Sequence, residues 1–424
     1  MGDIKKIPNI SFTVKNDLCL GCGICVDACP TASIAINRVN GEYRPKVDES
    51  NCINAKGCHR CTTVCPGRGI EINNIAKGLF DADDNSNHNK LIGHYSVAYS
   101  GFANDYETRF RGASGGLLTA FIAFLLDREY ISAAVVAKND MSQPFLNKTV
   151  LIHDSKELYK ARSSKYCPVS FDGIIKQVKQ ETGKVIVVGL PCIMQGFRKY
   201  EKGDPKFKDK IFGYFGLYCS CGRSFNLTEY VFKQNKIDKE TLKYFQYRDK
   251  GCLGSLVAED ERKNVEIPFQ LYYHPLRSFF IPNRCQLCID HYAELADVAF
   301  GDIHHGKYKE DKVGINSVVI RNYQFDKLLN LAAEEGYISI APLSEDELIA
   351  CQPMARVKKG RVGGVLRFAK ATGHKIPQYD VKLTKYTYWK SIAYYLFAKA
   401  QMFVGKRRFL WWIIPIFAKK GKIY

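Results

Sequence analysis

Two cysteine runs constrain this chain of 424 residues more than anything else in it. The first, LCLGCGICVDACP, carries Cys19, Cys22, Cys25 and Cys29 and ends on Pro30. The second, NCINAKGCHRCTTVCPG, carries Cys52, Cys58, Cys61 and Cys65 and again ends on proline. This is the C-x2-C-x2-C-x3-C-P pattern, in which three close thiolates grip one face of a cubane and the fourth ligates the other cluster. The second run lengthens its first interval to five residues, which enlarges a loop without removing a ligand. Crossed ligation assigns Cys19, Cys22, Cys25 and Cys65 to one [4Fe–4S] cluster, and Cys52, Cys58, Cys61 and Cys29 to a second. A zinc ribbon would use two CxxC pairs and leave both Cys-Pro endings unexplained. The expectation is an α+β ferredoxin-like domain over 1–80, with short strands near Ile34 to Ile36 and Ile70 to Ile72. Such a domain moves single electrons and transforms no substrate, so another part of the chain must load or unload it.

A polar linker, DADDNSNHNK (81–90), separates this module from a body that alternates strand and helix signals. GGLLTAFIAFLLDR reads as a helix, AAVVAK and KVIVVGLP as buried strands, and IFGYFGLYC, LKYFQYRDK, ADVAFGD and INSVVIRN as further strands. Helices are expected near Asn226 to Gln234 and Phe325 to Glu335. The pattern is α/β with a mixed sheet. Its cysteines fall at strand ends or in loops: Cys192 after VVGLP, Cys219 at the close of IFGYFGLYC, and Cys285 and Cys288 in NRCQLC before ADVAFGD. Such loops are where α/β folds assemble ligand sites, so the four are candidates for a third [4Fe–4S] cluster. The competing reading makes Cys192 and Cys219 small buried hydrophobes.

Two other loops suit a phosphorylated cofactor. RGASGGLLTAF puts Ser114, Gly115 and Gly116 at a helix start, where amides and the helix dipole favour a phosphate, although an SGG turn is most often only a cap. ARSSKYCPVS adds Arg162, Ser163, Ser164, Lys165 and Tyr166, a cation, hydroxyls and a ring for stacking. No GxGxxG or Walker A motif is present, so a nicotinamide site of the usual kind is not indicated.

RGASGG, SSKY, VVGLPC, GLYC, YRDK, CQLC and ADVAFGD, in this order behind a two-cluster segment, resemble the beta subunit family of coenzyme F420 hydrogenases and dehydrogenases. The likeness runs from residue 10 to about 350. It implies a flavin, usually FAD, an iron–sulfur cluster in the body, and hydride exchange with the deazaflavin coenzyme F420. It further implies Cys192, Cys219, Cys285 and Cys288 as cluster ligands, with Cys221 the close competitor of Cys219. The SGG and SSKY segments resemble the family's flavin loops, and Arg248, Lys250 and Asp302 fall at positions lining the same cleft. The implied domains are 90–180 and 181–352, the latter carrying flavin and third cluster, followed by a tail over 353–424. Cys167 and Cys252 depart from the family pattern and read as spectators or as thiols near the flavin. Two alternatives remain open: a flavin and iron–sulfur reductase of an organic substrate, such as one in surface-polysaccharide synthesis, and an electron-relay subunit without catalysis.

The net charge of +19 sits almost wholly in the tail, where 17 Lys and Arg after Cys351 meet one acid, Asp380. No nucleic-acid motif accompanies it. The tail interleaves bases with aromatics, and its longest uncharged run, Phe409 to Ala418, is half of the roughly 20 residues that span a bilayer. Trp411 and Trp412 between Arg407, Arg408, Lys419 and Lys420 suit an anionic membrane surface through 382–424, or else a basic amphipathic helix packed on the body. The opening MGDIKKIPNISFTVKND has no apolar secretory core, so the 16 cysteines are expected as reduced ligands in the cytoplasm, the protein there peripheral at most on the membrane's inner face, with a redox protein as partner.

Overall fold

The computed structural model describes residues 8–81, 86–140, 142–303, 306–383 and 388–417. Part of the linker (82–85) and the tail's Lys419 and Lys420 lie outside them.

In the amino-terminal module each cysteine run wraps a one-turn helix, α1 (Ile24–Asp27) and α2 (Arg60–Thr63), and β1 (Ile34–Val39) pairs antiparallel with β2 (Glu42–Val47). The strand expected at Ile70 to Ile72 is only Gly69–Ile70, because a nine-residue helix, Ile72–Phe80, begins at once. That short strand pairs in parallel with Gln378–Tyr379 of the tail.

The body is built on an eight-stranded mixed sheet. Its strands are β3 (Val97–Ala103), β4 (Ala133–Asp140), β5 (Gln143–Ile152), β6 (Val185–Gly189), β7 (Ile211–Leu217), β11 (Val298–Asp302), β12 (Asn316–Ile320) and β13 (Ile338–Pro342). They run in the order β13-β3-β12-β11-β7-β6-β4-β5. The central four, β11, β7, β6 and β4, are parallel, and the outer pairings are antiparallel. The parallel strands read as unbroken apolar runs because both faces are covered. Along β6, Ile186 and Val188 face α3 (Leu117–Asp127) and α7 (Tyr323–Glu334), while Val185 and Val187 face α4 (Ile174–Gln180) and α5 (Pro191–Glu201). Between β7 and β11 the chain inserts α6 (Phe225–Gln234) and an antiparallel sheet of β8 (Tyr244–Asp249), β9 (Ser255–Glu259) and β10 (Asn264–Pro268).

The tail is no loose appendage. Helix α8 (Met354–Ala371) places Val362, Val365 and Leu366 against Ile70, Ile72 and Phe80 of the module and Leu287, Ile289 and Leu295 of the body. It thereby welds the two together. Helix α9 (Tyr388–Gly405) then lies along α8, and Trp411 closes over Tyr230 and Phe280 with its indole N–H on the Gly405 carbonyl. Among the described residues no helix is long and apolar enough to cross a membrane.

Candidate redox site

Three groups of thiols follow one another through the molecule. Cys19, Cys22, Cys25 and Cys65 line one hollow with Ile10, Ile24 and Val64. Burial, then the charges of its neighbours Cys22, Cys65 and Cys19, hold the Cys25 thiol well above its ordinary pKa, so the set needs a cationic core to become thiolates. Burial likewise raises Cys61, and the charges that add to this are those of Cys58, Cys29 and Cys52, so the crossed set of the second run also stands together. Cys29 departs in the other direction. Against a burial cost, hydrogen bonds from Thr31 and Ser33 lower its pKa, with the Ser33 amide 3.3 Å from Sγ.

Strand ends assemble the third group. Cys192 opens α5 just past β6, Cys219 lies two residues beyond β7, and Cys285 sits within a 3-10 turn, Asn283–Leu287, that Cys288 caps. Cys219 is raised by burial and by the charges of Cys285, Cys192 and Cys288, with Lys358 opposing, so the four predicted thiols converge. Cys221 stands against Cys285 instead, and the Gly222 amide donates to Cys285 Sγ at 3.4 Å. Among the described residues no three such side chains are close enough to hold a single metal ion. A cubane binds each thiolate to a different iron and so keeps them further apart. The groups adjoin: Cys22 contributes to the raised pKa of Cys192, and Cys61 to that of Cys25. Lys199 on α5 donates to the Cys65 and Gly69 carbonyls at 3.0 and 2.6 Å, and Arg284 to the Gly67 carbonyl at 2.9 Å, fixing the module on the body.

Cys221 faces Arg223 and Tyr273, and beside these, at the end of β11, lie the residues expected to meet a flavin. Arg248, 2% exposed, donates to Asp302 Oδ2 at 2.6 Å and to the Leu253 carbonyl at 2.8 Å, and lies 3.5 Å from the Tyr166 hydroxyl. Ser114 hydrogen-bonds to the other oxygen of Asp302 and accepts from Asn316 at 3.0 Å. Ser164 supports the Tyr166 hydroxyl. Tyr166 packs in an aromatic wall with Tyr273 (centroids 4.6 Å) and Phe269 (5.5 Å), and Arg223 lies 4.3 Å over Tyr273. Gly115 and Gly116 have φ of +115° and +68°, and a Cβ on Gly116 would meet the Thr108 carbonyl at 2.5 Å.

Two predicted residues turn elsewhere. Lys165 donates to the carbonyls of Ala161, Arg162 and Ser163 and so staples its own loop; burial lowers its pKa to about 8. Lys250 pairs with Glu266 at 2.6 Å on the β8–β10 sheet. The first helical amide, Leu117, is occupied by Asn316 Oδ1 at 3.2 Å, so the SGG turn offers less to a phosphate than its sequence suggests. Cys167 is a core thiol held by Asn147 at 2.7 Å, whereas Cys252 lies beside Arg248 and Asp302, its pKa pushed up to about 12 by burial and then by Asp302. The wall residues Phe269, Tyr273 and Arg223 carry no sequence signal of a site. Neither does Lys358, which reaches from α8 to 3.6 Å from Cys288 Sγ and donates to the Asp290 carbonyl at 2.6 Å.

Comparison with known proteins decides the lineage. Residues 98–176 match the amino-terminal part, and 182–346 the carboxy-terminal part, of the coenzyme F420 hydrogenase/dehydrogenase beta subunit; residues 18–68 match a 4Fe-4S dicluster domain. The chain belongs to the coenzyme F420 hydrogenase/dehydrogenase beta subunit family. This is an oxidoreductase family. Similar members include the coenzyme F420-dependent sulfite reductase of Methanocaldococcus jannaschii, 27% identical over 58% of this chain and 38% of that one. The coenzyme F420 hydrogenase subunit beta of Methanothermobacter thermautotrophicus is 26% identical over 60% of this chain and 87% of its own. A subunit of the F(420)H(2) dehydrogenase of Methanosarcina mazei is 22% identical, over 81% and 90% respectively. The chain thus spans under two fifths of the sulfite reductase but most of the other two. A chain of the F420-reducing [NiFe] hydrogenase complex from Methanosarcina barkeri shares the fold, with a TM-score of 0.53 at 22% identity over 69% of this chain and 98% of that one.

Proposed function

We propose that this chain takes a hydride from reduced coenzyme F420, a deazaflavin, and delivers single electrons to a partner protein. When bound, a flavin supplies the conversion of a hydride pair into single electrons, and [4Fe–4S] clusters supply their onward transfer. The residues present fit both groups. Arg248 Nη2 is buried without a hydrogen-bond partner among the described residues, with the Cys252 thiol beside the guanidinium, so the group retains a donor that a bound acceptor would use. With Ser114, Gly115, Gly116, Ser164, Tyr166 and Asp302 it would hold the flavin, FAD in our assignment, against the Tyr273 and Phe269 wall. Lys165 fixes the loop that carries Tyr166. Lys250, paired with Glu266, stands outside this set. Cys192, Cys219, Cys285 and Cys288 would hold the third cluster, with Cys221 between it and the aromatic wall.

The observation that carries this reading is the unbroken succession of the three thiol groups, from the cleft through Cys192 and Cys22 to Cys25 and Cys61. Cys52 and Cys58 of the last group are only half-buried, which favours that end for a redox partner. The test is an anaerobic preparation assayed for iron, flavin and reduction of a viologen dye by reduced F420. About twelve irons per chain, one flavin and F420-dependent dye reduction are expected. A flavin-loaded protein that leaves reduced F420 untouched would favour another hydride donor or an organic substrate, and about eight irons would remove the third cluster.

A further inference from the structure

Helix α9 uses one side to pack on the body, through Ile392, Tyr395, Ala398, Met402 and Gly405. Its opposite side is apolar too. Trp389, Ala393, Leu396, Ala400 and Phe403 recur at three- and four-residue steps and so form one stripe along the exposed side, with Phe397 beside it. Trp389 is 77% exposed and Phe403 53%. The stripe continues past the helix end in Phe409, Trp412, Ile416 and Phe417, of which Trp412 is 69% exposed while its neighbour Trp411 is 3%. An apolar surface of this extent, rimmed by polar groups, marks an interaction site.

The chemistry of the rim selects the occupant. Lys390 and Lys399 lie on the two sides of the stripe, Arg407 stacks on Phe403 at 3.5 Å, and residues 381–424 contain ten Lys and Arg and no acid. Lysine is depleted from protein–protein interfaces, whereas tryptophan and tyrosine beside lysine and arginine are the residues that settle at lipid headgroups. A helix with one apolar side and basic flanks lies in that layer and draws further attraction from anionic lipid. We infer that the outer face of α9 and the turn after it docks this chain on an anionic membrane surface. The inference is independent of the hydride donor, since none of these residues lines the redox site.

The test is flotation of the full chain with phosphatidylcholine vesicles with and without phosphatidylglycerol. The wild type is expected to float with the anionic vesicles and to stay behind with the neutral ones. A variant with Trp389→Ser, Leu396→Ser, Phe403→Ser and Trp412→Ser, all at exposed positions, is expected to partition at least about tenfold less while keeping its iron content. Lys390→Gln with Lys399→Gln is expected to weaken binding several-fold and to reduce its salt sensitivity. Failure of the wild type to float, or equal recovery of the apolar variant, overturns the inference. So does a lipid-free wild-type dimer that the same variant converts to monomer, since a second copy would then cover the face.

Discussion

Arg248 is the side chain on which the cleft turns. A guanidinium buried to this degree is tolerated only when paired; Asp302 supplies one side of the pairing, and among the described residues Nη2 has no hydrogen-bond partner, which is where a bound flavin would be accepted. Arg248→Met is therefore expected to cut flavin retention by at least about tenfold while the iron content is unchanged, as read from the flavin absorbance of desalted protein. Lys358 acts on another group. Its ammonium lies 3.6 Å from Cys288 Sγ and faces Cys219 and Cys285 as well, so it would stabilise the more negative, reduced form of the proposed cluster there. Lys358→Met is expected to lower the potential of the third cluster by on the order of tens of millivolts in an EPR redox titration, leaving the other two unchanged. Sequence shows such residues unevenly. The cysteines announce themselves by spacing, but the direction of a lysine does not. Lys165 turns inward because Ser163 takes a φ of +73°, and nothing in SSKY specifies that.

At the scale of elements, caps and close approaches hold the parts in register. Asp204 caps the helix Pro205–Lys210 through the Phe207 amide at 3.1 Å and pairs with Lys179 at 2.8 Å. Against a burial cost, these partners and the Tyr200 hydroxyl lower its pKa below the ordinary 3.8. A depressed carboxyl contributes stability above its unfolded pKa and loses it as the pH falls through the folded one. Asp204→Asn, which keeps the cap, is expected to flatten the fall in Tm below about pH 4, and Asp204→Ala to cost about 1 kcal/mol at neutral pH in denaturant unfolding. Gly69 is the sharper constraint: its φ is +103°, and a Cβ there would meet the Gln378 carbonyl at 1.9 Å. Gly69→Ala is expected to separate the tail strand from the cluster module, seen as faster proteolysis between α8 and α9. The apolar runs of β4, β6, β7, β11 and β12 are legible because they are short and rich in β-branched and aromatic residues, which favours a buried strand over a helix. Strands β3, β5, β9, β10 and β13 carry no such signal: β5, β10 and β13 are sheet edges, and β3 and β13 draw their partners from far along the chain. The tail's pattern fixes its amphipathic character but not which face lies inward. Trp411 and Trp412 are adjacent in sequence and opposite in environment.

For the whole molecule, the consequence of the fold is order. The sheet ends bring Cys192 and Cys219 to Cys285 and Cys288, α5 abuts Ile24 of the module through Gly196, and α8 binds both units from outside. Sequence singles out these cysteines by position but not that the three groups adjoin, since that depends on how the module docks. This succession has a direct test. Wild type and Cys192→Ser, each loaded with flavin, are mixed anaerobically with reduced F420, and the EPR signals of the amino-terminal clusters are recorded alongside flavin bleaching. The variant is expected still to bleach its flavin, while the amino-terminal signals, prompt in the wild type, fail to develop or slow by at least about tenfold. Equal growth of those signals in both proteins would contradict it, because electrons would then reach the module without passing the third thiol group.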